Sequence, residues 1–240
     1  MIDIHNHILF EMDDGSHSLE QSVAMCRDAY NNGYKAVVCT PHFINYNEIE
    51  DFVDQREKTA KELRKALREE NIPLEILTGA ELFLNDNVFL AENLDELTIN
   101  GSRYMLCEFP LGPFNVNKAT KWVDELISRG YCPIIAHPER YVEFHRNHFV
   151  IDELLKRKVI FQVNADSLVG KNGREPQMMA TDLIVRGLAL LIGTDAHEET
   201  HRHTRIQERI NKMPLEISEE MIDICCHKVP KRIIFDRDIF

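Results

Sequence analysis

The sequence predicts an α/β protein organised as a β/α barrel, and three observations support this prediction. Seven short apolar runs alternate with longer stretches that have the spacing of amphipathic helices. The runs are almost continuously apolar, as expected for parallel strands that are buried on both faces. A length of 240 residues suits a barrel that folds as one domain. A doubly wound open sheet is the alternative arrangement of the same elements.

The first predicted strand covers residues 1–4, and a helix is expected to follow it between Ser18 and Gly33. Ser18 and Gln21 have the spacing of a capping box, and Gly33 is a typical helix end. The other strands are predicted at residues 35–40, 74–78, 103–107, 132–136, 159–163 and 188–192. Helices are predicted at residues 47–71, 88–93, 116–129 and 149–156, before Gly187, and in one or two segments after the last strand. The pattern contains no repeat or linker, so residues 1–240 are expected to form a single domain.

Composition excludes several classes of protein. The formal charge of −12 argues against a nucleic-acid-binding protein, which usually needs a basic surface. No apolar run approaches the ~18 residues that a membrane-spanning helix requires. The N-terminus has no basic region followed by an apolar stretch, so no signal peptide is expected. The six cysteines form no CxxC pair, and reduced thiols in a cytoplasmic protein are the simplest expectation.

Potential metal ligands follow nearly every predicted strand. Alternate residues of an extended chain point the same way, so His5 and His7 can reach one point. The carboxyl ends of barrel strands meet on one face, where active sites are built. The candidate ligands at these ends are His5, His7, His42, Glu81, Glu108, His137, Asp195 and His197. Asp13 and Asp14 offer carboxylates a few residues after the first strand, and Asp14 is taken as the ninth candidate. Five imidazoles and four carboxylates exceed the ligands of one structural zinc, so two or three divalent ions are expected. This mixture suits manganese, iron or zinc rather than copper or calcium.

Short motifs at these positions resemble those of the PHP (polymerase and histidinol phosphatase) superfamily. They are His5-Asn-His7, Thr40-Pro-His42, Gly79-Ala-Glu81, Glu108-Phe109, Ala136-His-Pro-Glu-Arg-Tyr141 and Thr194-Asp-Ala-His197. Within the superfamily, the chain is most similar to manganese-dependent protein tyrosine phosphatases of bacterial capsule and exopolysaccharide gene clusters. Asp13-Asp14-Gly15, Ser102-Arg103-Tyr104 and the His-x-Glu-Arg-Tyr segment carry this closer resemblance, which covers nearly the whole chain.

The resemblance implies a distorted β/α barrel of seven strands with a trinuclear metal centre. It also implies hydrolysis of phosphotyrosine on the tail of a tyrosine autokinase that governs polymer export. Carried over by position, it makes the nine candidate residues metal ligands and places Arg140 near the substrate phosphate. Arg202 aligns with a second phosphate-binding arginine. However, the family's usual Gly-Arg-Pro is replaced here by residues 198–203 (EETHRH), so Arg205 is a rival for this role.

Three interpretations of function remain from the sequence. The first is the tyrosine phosphatase, with a metal-activated water as nucleophile and no phosphoenzyme. The second is a phosphoesterase of the same superfamily that acts on a small molecule such as histidinol phosphate. The third is a metal-binding scaffold without activity, although no candidate ligand is missing. Cys226 and Arg232 have the Cys-x5-Arg spacing of cysteine-dependent phosphatases, but that stretch has no glycine and lies in a helical apolar pattern.

Overall fold

The computed structural model describes residues 1–147 and 149–239, and its strands form two parallel sheets. The strands are β1 Ile2–Asp3, β2 Ala36–Cys39, β3 His42–Phe43, β4 Glu75–Thr78, β5 Glu81–Phe83, β6 Tyr104–Glu108, β7 Cys132–Ala136, β8 Ile160–Asn164 and β9 Ala189–Gly193. One sheet has the order β1-β2-β4, and the other has the order β3-β5-β6-β7-β8-β9. All the pairings between these strands are parallel, as the alternation of strands and helices predicted.

Helices occupy most of the connections between the strands. They are α1 Leu19–Asn31, α2 Ile49–Glu69, α3 Val116–Ser128, α4 Val142–Arg146, α5 Phe149–Lys156, α6 Ala165–Leu168, α7 Arg174–Val185, α8 Ile206–Ile210, α9 Glu219–Asp223 and α10 Val229–Ile234. A π-helical turn, Ile224–Lys228, joins α9 to α10, and 3-10 turns lie at Asp86–Leu90, Asp95–Leu97, Ile99–Gly101 and Pro138–Arg140. Nowhere in these described elements is a helix long and apolar enough to cross a membrane.

The helix predictions are accurate where the local signal is strong. The side chain of Ser18 accepts a hydrogen bond from the backbone N–H of Gln21, which is the predicted start of α1. The predicted helix at residues 149–156 is α5 without any shift of its ends. The predicted helix at 88–93 is instead a 3-10 turn over Asp86–Leu90, and α4 was not predicted. Short helices carry little periodicity, so the sequence pattern defines them poorly.

The number of strand segments differs from the seven predicted, because two predicted strand regions are interrupted and continue as β3 and β5. Thr40 and Pro41 separate β2 from β3, and proline has no N–H to donate to a neighbouring strand. Gly79 and Ala80 separate β4 from β5 beside Thr40 and Pro41, since Cys39 pairs with Thr78 and His42 with Glu81. Backbone hydrogen bonds from Gly79 to Cys39 and from Glu81 to Pro41 maintain the pairing across both interruptions.

Residues 5–7 lie between the ends of the two sheets. The N–H of Asp195 donates to the carbonyl of His5, and the N–H of His7 donates to the carbonyl of Ala196. On the other side, the N–H of Thr40 donates to the carbonyl of Asn6. The structure thus shows a mixed α/β fold with parallel sheets, and a closed seven-stranded barrel stays a prediction.

Two apolar clusters cover the opposite faces of the strands. In β6, Tyr104 and Leu106 belong to one cluster, while Met105 and Cys107 belong to the other, as the alternation of side chains in a strand requires. The smaller cluster also contains residues of α10, including Ile233. The larger cluster packs the strands against the surrounding helices. Burial on both faces explains why the strands appear as continuous apolar runs in the sequence.

Candidate metal centre

The carboxyl ends of the strands bring all nine candidate ligands together. Their ligand atoms fall into four overlapping groups, and within each group these atoms lie within 4.8 Å of one another. The groups are His7, Asp14, His42 and His197; His5, His7 and Glu81; His5, His137 and Asp195; and His42, Glu81 and Glu108. This cluster is called the metal centre below. His42 and Glu81 are the first residues of β3 and β5, and Asp14 lies in the loop between β1 and α1. The other six residues end a strand or follow it closely.

Glu81 in β5 lies at the middle of the metal centre and is fully buried. Its Oε2 atom lies 3.1 Å from His5 Nε2 and 3.3 Å from His7 Nε2. The same oxygen lies 3.2 Å from His42 Nδ1, and Glu81 Oε1 lies 3.1 Å from His137 Nε2. One carboxylate therefore contacts four imidazoles from three different strand ends, which is the arrangement of a ligand shared between ions.

The imidazole of His7 is oriented by a carboxylate outside the nine candidate ligands. His7 Nδ1 lies 2.6 Å from Asp13 Oδ2, which leaves Nε2 directed at the metal centre. Asp13 also accepts backbone hydrogen bonds from His42, at 2.8 Å, and from Gly15, at 2.9 Å. Metal-binding histidines commonly donate their other ring N–H to such a carboxylate, which fixes the tautomer and the ring orientation.

Two of the candidate ligands have left-handed backbone conformations. The φ angle is 36° at His137, directly after β7, and 51° at Asp195, two residues after β9. A residue with a Cβ atom pays roughly 1–2 kcal/mol to adopt this region. Such strain is concentrated at functional sites, where the surrounding structure maintains it. Here it turns both side chains from the ends of their strands into the metal centre.

The buried carboxylates control the protonation of the histidines around them. Burial opposes the charged form of His5, yet Glu81 and Asp195 raise the pKa of its imidazole to about 9. Burial also opposes ionisation of Glu81, but His5 and hydrogen bonds from His137 hold its pKa well below its usual range. Burial and the nearby His7 lower the pKa of His197 to about 3. Histidine must be neutral to bind a metal, so metal binding to His5 would release a proton.

The residues fit divalent cations by their chemistry and by their unpaired atoms. Glu81 Oε2, His42 Nδ1 and His197 Nε2 are buried and make no hydrogen bond of normal geometry, although nitrogen or oxygen atoms lie 3.1–3.3 Å from each of them. His5 Nε2 and His7 Nε2 lie 3.4 Å apart, close enough for both to contact one ion. Buried polar groups normally have partners, and a cation between these atoms would supply them. Mixed imidazole and carboxylate ligands suit manganese, iron or zinc.

Two arginines meet at Asp195 on the rim of this cluster. Arg140 Nη1 lies 3.2 Å from Asp195 Oδ2, and Arg202 Nη2 lies 2.7 Å from Asp195 Oδ1. Their side chains are 27% and 38% exposed, so both also face solvent. Arg205 points elsewhere, with contacts to Asp28 at 3.5 Å and to Glu208 at 3.1 Å.

The cysteine with the Cys-x5-Arg spacing is not placed for catalysis. Cys226 is fully buried in the turn between α9 and α10, and burial raises the pKa of its thiol. A nucleophilic thiol needs a lowered pKa and contact with solvent. Arg232 donates instead to the carbonyl of Asp238, at 2.5 Å.

Sequence reasoning missed how three further residues support the ligands. The sequence offered Asp13 as an oxygen ligand, but its carboxylate contacts Nδ1 of His7, on the side of the ring away from the metal centre. Gln162 and Asn164 of β8 contact His5 and Asp195, and neither was singled out as a site residue. The available signal was a single glutamine within the otherwise apolar run at 159–163.

Known proteins with this architecture are similar over nearly the whole chain. A family model for capsular polysaccharide synthesis, CpsB/CapC, matches residues 1–235. The tyrosine-protein phosphatase YwqE of Bacillus subtilis (strain 168) is 32% identical over 224 residues, covering 92% of this chain and 87% of YwqE. The tyrosine-protein phosphatase CpsB of Streptococcus pneumoniae is 27% identical over 246 residues, covering 99% of each chain.

A solved structure is also similar to this chain over its whole length. It comes from crystallographic work on YwqE from Bacillus subtilis and CpsB from Streptococcus pneumoniae, which are described there as metal-dependent tyrosine phosphatases. The superposition has a TM-score of 0.87 and 30% identity, and covers 100% of this chain and 96% of the other. The family resemblance predicted from the short motifs is thereby confirmed. The chain belongs to the CpsB/CapC family of capsular polysaccharide synthesis.

Proposed function

We propose that the protein is a metal-dependent tyrosine phosphatase that hydrolyses phosphotyrosine in proteins. One observation carries this proposal: Arg140 and Arg202 converge on Asp195 at the edge of a cluster of nine potential metal ligands. Clustered cations and arginine forks are what phosphate hydrolysis requires, because the phosphate carries charge and the attacking water needs activation. The relatives named above are tyrosine-protein phosphatases, which supports the same reaction.

We propose two or three divalent ions in the centre, with manganese first and iron or zinc as alternatives. His5, His7, Asp14, His42, Glu81, Glu108, His137, Asp195 and His197 would hold them. When bound, such ions lower the pKa of water and neutralise the charge of the phosphoryl oxygens. A ligand set distributed over four overlapping groups is too large for a single tetrahedral ion and supports more than one.

The two arginines would hold the phosphate group in the correct orientation. Each guanidinium has five N–H donors, and in both residues one donor is directed at Asp195. The donors that remain form a planar fork that matches phosphate oxygens. Arg205 faces Asp28 and Glu208, so we propose Arg202 as the second phosphate-binding arginine.

An open site supports a protein substrate. The side chain of Asp14 is 68% exposed, although it lies 3.3 Å from the nearly buried His197. A cleft of about 540 Å³ adjoins the centre, and its lining includes Met12, His42, Phe43 and Ile44. Ile44 is 58% exposed and could pack against a tyrosine ring that enters from solvent. The expected substrate is the phosphotyrosine tail of a tyrosine autokinase, which the family's connection with capsule synthesis supports.

We further propose that the 240 residues form one catalytic domain, built as a closed barrel, that works in the cytoplasm. The family model runs through residues 1–235, which supports a single domain. The backbone of residues 5–7 is hydrogen-bonded to Thr40 on one side and to Asp195 and Ala196 on the other, which supports closure of the barrel. All six cysteines are free, and free thiols suit a reducing compartment.

Substrate preference tests this proposal. We expect phosphotyrosine peptides of unrelated sequence to be hydrolysed with similar kcat/KM, because the ring and phosphate supply most of the contact. Histidinol phosphate should have a kcat/KM at least roughly tenfold lower, since an open cleft leaves most of a small molecule in solvent. Both are measured on one manganese-loaded preparation, with EDTA as the control. A preference for histidinol phosphate would contradict the proposal and favour the small-molecule phosphoesterase.

A further inference from the structure

Of the seven strand regions predicted from the sequence, the one observed as β8 has none of the nine candidate ligands at its end, and it carries two buried amides instead. Gln162 is fully buried within β8, and Asn164 at its end is 2% exposed. Both side chains point toward the centre, because residues two apart in a strand share a face. A buried amide is costly unless its donors and acceptor have partners. The hydrogen-bond partners of these two amides include two of the candidate metal ligands.

The two amides form a continuous chain of hydrogen bonds between two candidate metal ligands. His5 Nδ1 lies 2.6 Å from Gln162 Oε1, and Gln162 Nε2 lies 3.0 Å from Asn164 Oδ1. Asn164 Nδ2 then lies 2.7 Å from Asp195 Oδ2. His5 and Asp195 belong to the same group of potential ligands, so the chain begins and ends at one ion site.

The direction of every bond in this chain is determined by its ends. The carboxylate of Asp195 only accepts, so Asn164 must donate through Nδ2 and present its oxygen to Gln162. Gln162 must then donate to that oxygen and present its own oxygen to His5. His5 consequently carries its proton on Nδ1, and its Nε2 atom is left to bind metal.

We propose that Gln162 and Asn164 are positioning residues that fix the tautomer of His5 and the orientation of Asp195 as one coupled unit. This inference rests on the metal centre of the proposed function. In this inference, β8 orients two candidate ligands, His5 after the first strand and Asp195 after the last. Ligand-orienting partners of this kind usually change metal affinity by about 10–100-fold when they are removed.

Two neighbouring residues keep the amides in place. A Cβ atom added at Gly193 would lie 2.8 Å from Gln162 Nε2 and 3.0 Å from His5 Cβ, so glycine is needed beside this chain. Glu139 is fully buried, and its Oε1 atom accepts the backbone N–H of Asn164 at 2.9 Å. The end of β8 is thus held from both sides.

Metal affinity separates positioning from simple packing. The variants are Gln162→Met, Asn164→Leu and the double variant, and Mn²⁺ affinity is measured by calorimetric titration of each chelator-treated protein. We expect each single variant to bind Mn²⁺ about 10–100-fold more weakly than the wild type. The double variant should be hardly weaker than either single variant, because residues of one chain are coupled. Gln162→Glu keeps the acceptor for His5 Nδ1–H but loses the donor to Asn164 Oδ1, so it should restore only part of the lost affinity.

Gln177→Met is the matched control, because the Gln177 amide donates to the Leu168 carbonyl at 3.1 Å, away from the ligand groups. It should lower the melting temperature of the metal-free protein without changing its Mn²⁺ affinity. Gly193→Ala leaves both amides in the sequence but displaces Gln162, so it should weaken binding even if a β8 variant fails to fold. Unchanged affinity in the β8 variants, or additive losses in the double variant, would overturn the inference. These binding measurements are independent of phosphatase activity, so failure of the proposed function would be recognised separately.

Discussion

Replacing Glu81 by glutamine is expected to have the largest effect of any single substitution on activity. Its carboxylate lies 3.1–3.3 Å from nitrogens of four imidazoles, those of His5, His7, His42 and His137. Asp195 lies near three, those of His5, His7 and His197. Glutamine keeps the shape but removes the charge that a shared ligand supplies to the ions. Metal ions provide several kcal/mol of transition-state stabilisation, so we expect kcat/KM to fall on the order of 10³-fold. The metal content per chain should fall by at least one ion.

Glu125→Gln is the control for this substitution, because Glu125 is paired with Arg129 on α3 at 3.0 Å. It should leave both metal content and kcat/KM unchanged. Metal content is measured by elemental analysis after dialysis against chelated buffer and reloading with Mn²⁺. A Glu81→Gln protein with full metal content and nearly normal kcat/KM would show that the centre does not depend on this carboxylate.

Arg140→Ala is expected to reduce turnover while leaving the metal content intact. Arg140 is not one of the candidate ligands, and its guanidinium contacts Asp195 at the rim of the centre. Contacts to a phosphoryl group strengthen as charge develops, so the loss should appear mainly in kcat. Removing one preorganised donor typically costs on the order of 10²-fold, which is the reduction we expect with a phosphotyrosine peptide.

The other arginines make this experiment specific. Arg140→Lys keeps the charge but loses the planar fork, so it should recover only part of the lost activity. Arg202→Ala should resemble Arg140→Ala, whereas Arg205→Ala should be close to wild type because Arg205 faces Asp28 and Glu208. Wild-type kinetics for Arg140→Ala would show that Arg140 does not contact the phosphoryl group.

Eight of the nine candidate ligands could be located in the sequence because strand ends are easy to recognise, whereas Asp14 lies in the loop after the first strand. A buried parallel strand is a continuous apolar run, and the first polar residue after it lies at the carboxyl end. Parallel strands place those ends on one face, so His42, Glu108 and Asp195 could be grouped although they are far apart in the chain. The short motifs that identified the family lie at these same strand ends.

The supporting contacts could not be predicted, because they depend on side-chain directions that no spacing encodes. Asp13 and Asp14 are adjacent and chemically identical, yet Asp13 bonds to His7 while Asp14 approaches His42 and His197. The amides of β8 likewise have no motif. The interruptions at Pro41 and Gly79 were seen only as strand ends, since their continuation as β3 and β5 depends on neighbouring strands.

The central claim is that the carboxyl ends of these strands hold a cluster of metal ions. X-ray diffraction from a crystal grown with Mn²⁺, recorded on both sides of the manganese absorption edge, tests it most directly. We expect two or three anomalous peaks among the nine candidate residues, with histidine and carboxylate atoms about 2 Å from the ions. Glu81 should contact more than one ion. The absence of peaks at this site, or manganese bound only elsewhere on the protein, would contradict the account.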